Sequence, residues 1–308
     1  MVSLKEFFII QFYLEGRLAL KKHLLTRRDI LMKDFATQED RLDYLLQEFK
    51  EDSGQYKDLE VEDGYENKRM MLRSLMNIRM PRKMAEEIIK VQDEFLMLEA
   101  KEKGIVTLSD IKTIKEQYGS SHPYGDKISI WQGDITRLAV DAIVNAANSQ
   151  MLGCFVPCHR CIDNAIHSAA GIELRAECSH KMNQRRIKFG PRYEEPTGQA
   201  MLTKGYNLPA EYVIHTVGPI VGYELTQELR QDLRNCYENV LKCCMEHQIR
   251  SVAFCCISTG EFHFPNNEAA KIAVETVASV LKKHENEFDR IIFNVFKDLD
   301  KEYYEKQL

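Results

Sequence analysis

From Pro81 to Gly104 the chain reads PRKMAEEIIKVQDEFLMLEAKEKG, and its apolar residues recur at intervals of three and four. That spacing lines them along one face of a helix, with a proline near its start and Gly104 at its stop. The same period runs from Arg41 to Phe49 and from Tyr65 to Leu75. TLSDIKTIKEQYG predicts one more short helix, capped by Thr107 or Ser109 and ended by Gly119. Amphipathic faces of this kind need a partner. Residues 1–120 therefore predict a helical N-terminal extension packed on something larger, with no chemistry of its own.

Near position 120 the pattern changes. KISIWQGDIT, VDAIVNAAN, GQAMLTKGYNL, EYVIHTVGP, SVAFCCIS and RIIFNVF read as strands. Between them, CIDNAIHSAAGIELRAEC, Gln227 to His247 and NEAAKIAVETVASVLKKH read as helices. Strands alternating with helices of this length predict an α/β domain over 121–308, with a mixed, largely parallel sheet covered on both faces. Ligands in such a sheet sit beyond the carboxyl ends of the strands, and polar turns follow these strands.

Charge and cysteine usage narrow the setting. The 308 residues carry 42 Lys and Arg against 47 Asp and Glu, a net charge of -5 that offers no general attraction for nucleic acid or an anionic membrane. Nine cysteines form an odd count, and no typical signal peptide precedes them. FFIIQFYL is too short to span a bilayer, and KKHLLTRR after it suits an amphipathic targeting helix, an interface helix or a weakly ordered terminus. A reduced, cytoplasmic interior is the expected setting.

Four stretches carry candidate chemistry. In QGDIT, Asp134 follows a strand, where it can cap the next turn or accept from an exocyclic amine of a base. In VNAANSQ, Asn145 and Asn148 end a strand and offer carboxamides to a ribose, or satisfy only the local backbone. In CCISTGEFHFP, the small residues Ser258, Thr259 and Gly260 can turn backbone N–H groups toward phosphate oxygens, or form a simple tight turn. Neither a Walker pattern nor a GxGxxG fingerprint is present there.

The fourth stretch, GCFVPCHRCIDN, crowds Cys154, Cys158, His159 and Cys161 together. Thiolates and imidazole suit zinc, in a closed four-ligand site or a three-ligand site with an open position. Adjacent Cys158 and His159 would not easily point at one ion, which favours three ligands. Unliganded buried cysteines are the plain alternative, and Cys236, Cys243, Cys244, Cys255 and Cys256 fit that class.

QGDITRLAVDAIVNAANSQMLG followed by STGEFHFP resembles the macrodomain family. GCFVPCHRCIDNAIH behind a helical extension is similar to that family's zinc-containing branch of microbial protein-ADP-ribose hydrolases, from roughly position 40 to the end. The resemblance implies a three-layer α/β/α macrodomain with a mixed central sheet. It implies an enzyme that binds ADP-ribose and removes it from a modified protein, with carboxylate-linked mono-ADP-ribose as the expected substrate. Asp134 would contact adenine with Ile135 helping through its backbone, and Asn148 would face the distal ribose. Ser258, Thr259, Gly260, Glu261 and Phe262 would wrap the diphosphate, and Asn294 and Phe296 would line the adenosine end. Zinc would sit on Cys154, His159 and Cys161. Asp163 and His167 would assist proton transfer or support the metal loop. The alternative is a reader of ADP-ribose without turnover, and less favoured still is a zinc-stabilised scaffold.

Overall fold

The computed structural model describes residues 35–308. The FFIIQFYL and KKHLLTRR segments lie outside the described residues. Helices α1 (Gln38–Ser53), α2 (Tyr65–Ile78) and α3 (Glu86–Lys103) form a layer with its own core, in which Leu42, Leu45, Leu72 and Phe95 are almost fully buried. Thr37 and Asp40 form a capping box at the start of α1, so its first N–H groups are satisfied locally. Helix α3 begins at Glu86 behind Ala85, later than the sequence pattern suggests, and Pro81 stays in the preceding loop. The segment 107–119 is not one helix. Thr107 and Asp110 box a short turn over Leu108–Asp110, and α4 (Ile114–Tyr118) starts afresh from Thr113 and ends on left-handed Gly119.

The remaining strands are β1 (Val106–Thr107), β2 (Ile128–Gln132), β3 (Leu138–Ala139), β4 (Ala142–Ala147), β5 (Ala200–Lys204), β6 (Tyr212–Val217), β7 (Ser251–Phe254) and β8 (Arg290–Val295). The main sheet runs β2-β8-β7-β4-β6-β5, parallel throughout except for the edge strand β5, while β1 and β3 pair separately. On one face lie α7 (Gln227–Glu246), α8 (Asn266–His284) and α9 (Asp298–Glu305); the other carries α4, α5 (Ile162–Ala170) and α6 (Ile172–Phe189). This is the three-layer α/β/α arrangement with a mixed sheet, and the helical layer stacks outside it against α5. Ile111 and Ile114 already belong to the α/β core, so the chain enters that domain before position 120.

Two further elements differ from the sequence reading for clear reasons. The helix expected over 161–178 breaks at Gly171, whose φ of +96° ends α5. Gln92 of α3 accepts the Ile172 N–H at 3.1 Å, so the helical layer caps α6 from outside. Helix α9 was not anticipated from the pattern: its buried residues are few, Asp300 and Tyr304, and Tyr304 packs on Phe293 of β8.

Within the helical layer, Arg69 donates to Glu99 through Nε at 2.6 Å and Nη2 at 2.9 Å. Burial raises the Glu99 carboxyl, but Arg69 overrides it and holds the group down at about 2. A depressed carboxylate stabilises the fold above its unfolded value of about 4.3 and loses that contribution as pH falls through its folded value. Glu99→Gln is therefore expected to cost on the order of 2–3 kcal/mol at neutral pH. The gap between variant and wild type, measured by urea unfolding at several pH values, should close as pH drops from about 5 toward 2.

Candidate functional site

Five of the six main strands run parallel, so their carboxyl ends deliver loops to one edge. At the end of β2, Asp134 Oδ1 accepts from Thr136 N at 3.0 Å and Thr136 Oγ1 at 2.7 Å, capping the turn. Its second oxygen, and the Ile135 N–H, make no hydrogen bond with another described residue. Asn294 stands beside this turn but spends its amide internally, donating to Trp131 O and Gly133 O at 3.3 and 3.0 Å. It shapes the Gly133–Asp134 turn and is itself buried, whereas Phe296 beyond it is exposed.

Asn145 and Asn148 part company. Asn145 sits inside β4 opposite His215 of β6 and is fully buried, so it does not reach a ligand in the cleft as the sequence reading expected. Its amide donates to Asp163 Oδ1 at 2.7 Å and approaches His215 Nδ1 at 3.0 Å. Asn148 lies past the strand end, where its amide contacts Gly153 O at 3.3 Å and Asp163 Oδ2 at 3.5 Å. Asp163 and His167 are buried beneath the loop, with His167 Nε2 at 3.5 Å from Asp163 Oδ1. Burial raises Asp163 to about 6 against the Asn145 hydrogen bond, and burial with His215 beside it holds His167 well below its ordinary value. Both residues are in place to support the loop. Their burial withholds them from direct proton transfer at the cleft. His167, Cys178 and His215 also bring donor atoms within 4.8 Å of one another, but His215 already engages Asn145 and, at 3.0 Å, Thr203.

After β7 the backbone takes a positive φ at Ser258 (+65°) and again at His263 (+56°). Phe264 N closes back on Ser258 O at 2.9 Å, and the N–H groups of Gly260, Glu261 and Phe262 bond to no other described residue. Thr259 Oγ1 is spent on Cys256 O at 3.0 Å. Free, successive N–H groups in such a turn form an anion-binding concavity. Val221 N donates to Phe262 O at 2.9 Å, bracing this loop against the one after β6, and a side chain at Gly218 would collide with Ser258 Oγ.

The fourth loop gathers Cys154, His159 and Cys161, whose donor atoms lie within 4.8 Å of one another. Cys154 Sγ is 3.7 Å from His159 Nδ1. Bonds of about 2.3 Å to sulfur and 2.0 Å to nitrogen in a tetrahedral site put such donors roughly 3.5 Å apart, so this donor set fits zinc. Cys161 is also the N-cap of α5, its sulfur accepting the Asn164 N–H at 3.4 Å. Burial pushes its thiol up to about 12, against that N–H, which favours the thiolate. Coordination by a cation acts in the same direction as the N–H. Cys158 faces away, toward Met70 O at 3.4 Å and Ser74 Oγ at 3.2 Å. Across the cleft, His159 Nε2 comes to 3.8 Å from Glu261 Oε1.

The Macro domain family model matches residues 144–273. A protein-ADP-ribose hydrolase of Treponema medium is 42% identical over 270 residues, covering 88% of this chain and 98% of that protein. Another from Staphylococcus aureus (strain Mu50) is 40% identical over 278 residues, with 90% and 98% coverage. This chain belongs to the macrodomain family, in its protein-ADP-ribose hydrolase branch. The crystal structure of the Trypanosoma brucei macrodomain in complex with ADP-ribose is similar to it with a TM-score of 0.56 and 30% identity, over 76% of this chain and 94% of that one.

The residues that hold this macrodomain's Cys154–Cys161 loop were not visible in the motif. Asn164 donates to Val156 O at 2.9 Å and accepts from Arg73 Nη2 at 2.7 Å. Arg175 reaches Leu152 O and Cys154 O at 2.7 and 3.2 Å. A polar stripe on α2 is a sequence signal that could have located the helical side of this support, since Arg73, Ser74 and Asn77 share a face among apolar neighbours. Gly153 marks how closely the loop is packed: its φ is +78°, and an added Cβ would lie 2.8 Å from the His167 ring. Gly153→Ala is expected to cost about 1–3 kcal/mol through the left-handed backbone alone, with the ring contact adding to it. Chemical denaturation of the variant beside wild type measures the loss.

Proposed function

We propose that this macrodomain binds ADP-ribose along the carboxyl edge of its sheet and hydrolyses carboxylate-linked mono-ADP-ribose from protein side chains, with one zinc ion on Cys154, His159 and Cys161. The carrying observation is the 3.8 Å approach of His159 to Glu261, because it sets the cation-ready loop opposite the anion-ready loop. A ligand whose diphosphate rests on the N–H groups of 260–262 then extends its distal ribose toward the metal loop. The hydrolase relatives and the ADP-ribose complex of the Trypanosoma brucei macrodomain support the same reading.

Each residue has a bounded role in this scheme. Asp134 keeps one carboxylate oxygen for the adenine amine, the Ile135 N–H stands beside it, and exposed Phe296 covers the base. Asn148 orients the distal ribose, while buried Asp163 steadies the Asn148 amide from behind. An ester at the anomeric carbon departs as a carboxylate, a leaving group stable without a proton, so no buried acid has to reach the cleft. The bound ion would supply polarisation of a ribose hydroxyl or acidification of a water, and three protein ligands leave a position for that oxygen. The nine cysteines are all free thiols, which fits the reducing, cytoplasmic setting proposed for the chain. Among the described residues no helix is long and apolar enough to cross a membrane.

Asp134→Ala removes an acceptor for the base and should weaken ADP-ribose binding by on the order of 1.5–3 kcal/mol, read by calorimetric titration. An unchanged dissociation constant would take Asp134 out of the adenine pocket. Alanine at Cys154, His159 or Cys161 should abolish bound zinc in metal analysis and severely reduce single-turnover release of ADP-ribose. Cys158→Ala should keep most of both. Full zinc occupancy in wild type without hydrolysis of carboxylate-linked or serine-linked substrates would instead identify a reader.

A further inference from the structure

Helix α2 presents Met70, Arg73, Ser74 and Asn77 at spacings of three and four, one face of the helix, to the metal loop. Each makes a specific contact. Arg73 Nη2 donates to Asn164 Oδ1 at 2.7 Å and to His159 O at 3.4 Å. Asn77 Oδ1 accepts the Cys158 N–H at 2.9 Å, and its amide donates to Ser168 Oγ at 3.0 Å. Met70 O and Ser74 Oγ meet the Cys158 thiol. Cys158 itself has a φ of +50°, a conformation that a non-glycine residue keeps only when its surroundings enforce it. The residue forced into that shape lies directly before His159.

We infer that α2 is the positioning element of the metal loop: Arg73 and Asn77 hold the Cys154–Cys161 segment in ligand-ready shape before any ion arrives. The metal arm of this inference rests on the zinc reading given above; the loop-ordering arm does not. Physically, the cost of folding eight residues around an ion is met in advance by contacts from a helix outside the α/β domain. Partners that orient ligands typically change metal affinity by about 10–100-fold when removed. The helical extension thus belongs to the working of the site and is more than a packed cover. Arg73 and Asn77 are positioning residues, since neither side chain touches Cys154 Sγ, His159 Nδ1 or Cys161 Sγ.

The test compares full-length wild type, Arg73→Met, Asn77→Leu and Asn77→Asp, two positions that fail or fold independently. Hydrogen exchange on metal-free protein reads loop order directly. Residues 153–161 should be protected in wild type and lose at least about tenfold protection in Arg73→Met and Asn77→Leu, with β4 and β6 amides unchanged. Asn77→Asp keeps the acceptor for Cys158 N–H and should stay close to wild type. Titration with cobalt(II), followed by thiolate-to-cobalt absorption, should then require about 10–100-fold more metal for the two disruptive variants. Equal loop protection in wild type and in both disruptive variants would overturn the inference, as would equal cobalt affinity or an Asn77→Asp protein as impaired as Asn77→Leu. Wild type that shows the expected loop protection but no cobalt absorption would sink the zinc reading while leaving the positioning role of α2 standing.

Discussion

The Arg175 guanidinium, on α6, donates to five backbone carbonyls that come from two separate parts of the chain. Nη1 reaches Met76, Asn77 and Arg79 at 3.2, 2.6 and 2.7 Å, at the end of α2, while Nε and Nη2 hold Leu152 and Cys154 at the start of the Cys154–Cys161 loop. Its Cζ lies over the Phe155 ring, 4.2 Å from the ring centre. Burial lowers the group to about 10, still far above neutrality, so a full charge sits inside the protein. Such a charge is tolerable only when its donors are satisfied. The last carbonyls of a helix, which lack partners in their own helix and carry its negative dipole end, are well suited to that task. One side chain therefore closes the end of α2, fixes the entry to the Cys154–Cys161 loop and joins the helical layer to the α/β domain.

The rest of the site is built outward from that junction in the same manner, with buried polar groups spent on backbone and on one another. Asn164 ties Val156 to Arg73, Asn145 steadies Asp163 from inside the sheet, and Asn294 shapes the turn that carries Asp134. These groups are buried and bonded, which removes them from the cleft; among the described residues, the N–H groups of 260–262, an Asp134 oxygen and the donors of Cys154, His159 and Cys161 are what the cleft keeps. Rigid surroundings explain why residues with positive φ persist at Cys158 and Ser258 beside the cleft. Preorganisation of this kind lets binding energy go to the ligand, since less of it is consumed in ordering loops.

The helical layer acquires a different meaning in this light. Its apolar core could fold against any flat partner, but Gln92 capping Ile172, Asn207 donating to Asp93 at 2.7 Å and the Arg175 contacts set one docking position. Hydrophobic burial supplies most of the attraction between such layers, and directional hydrogen bonds select the register.

Much of this was legible in the chain alone. The alternation of strand and helix, the loops after β2, β4 and β7, and the Cys154, His159 and Cys161 spacing are local patterns, and local periodicity and turn chemistry decide them. The macrodomain family followed from those loops, and the relatives bear it out. What sequence could not settle depended on neighbours distant along the chain. Gly171 ends one helix, and Gln92, far upstream, caps the next. Asn145 and Asn148 look alike in VNAANSQ, yet the strand register against His215 buries the first and leaves the second at the edge. Arg175 reads as an ordinary helical arginine until the fold brings the end of α2 and the Cys154–Cys161 loop to its two sides. Periodicity says which face of an element is buried, and only the packed structure says which buried polar group meets which partner, because that is fixed by the geometry of segments that the chain joins at long range.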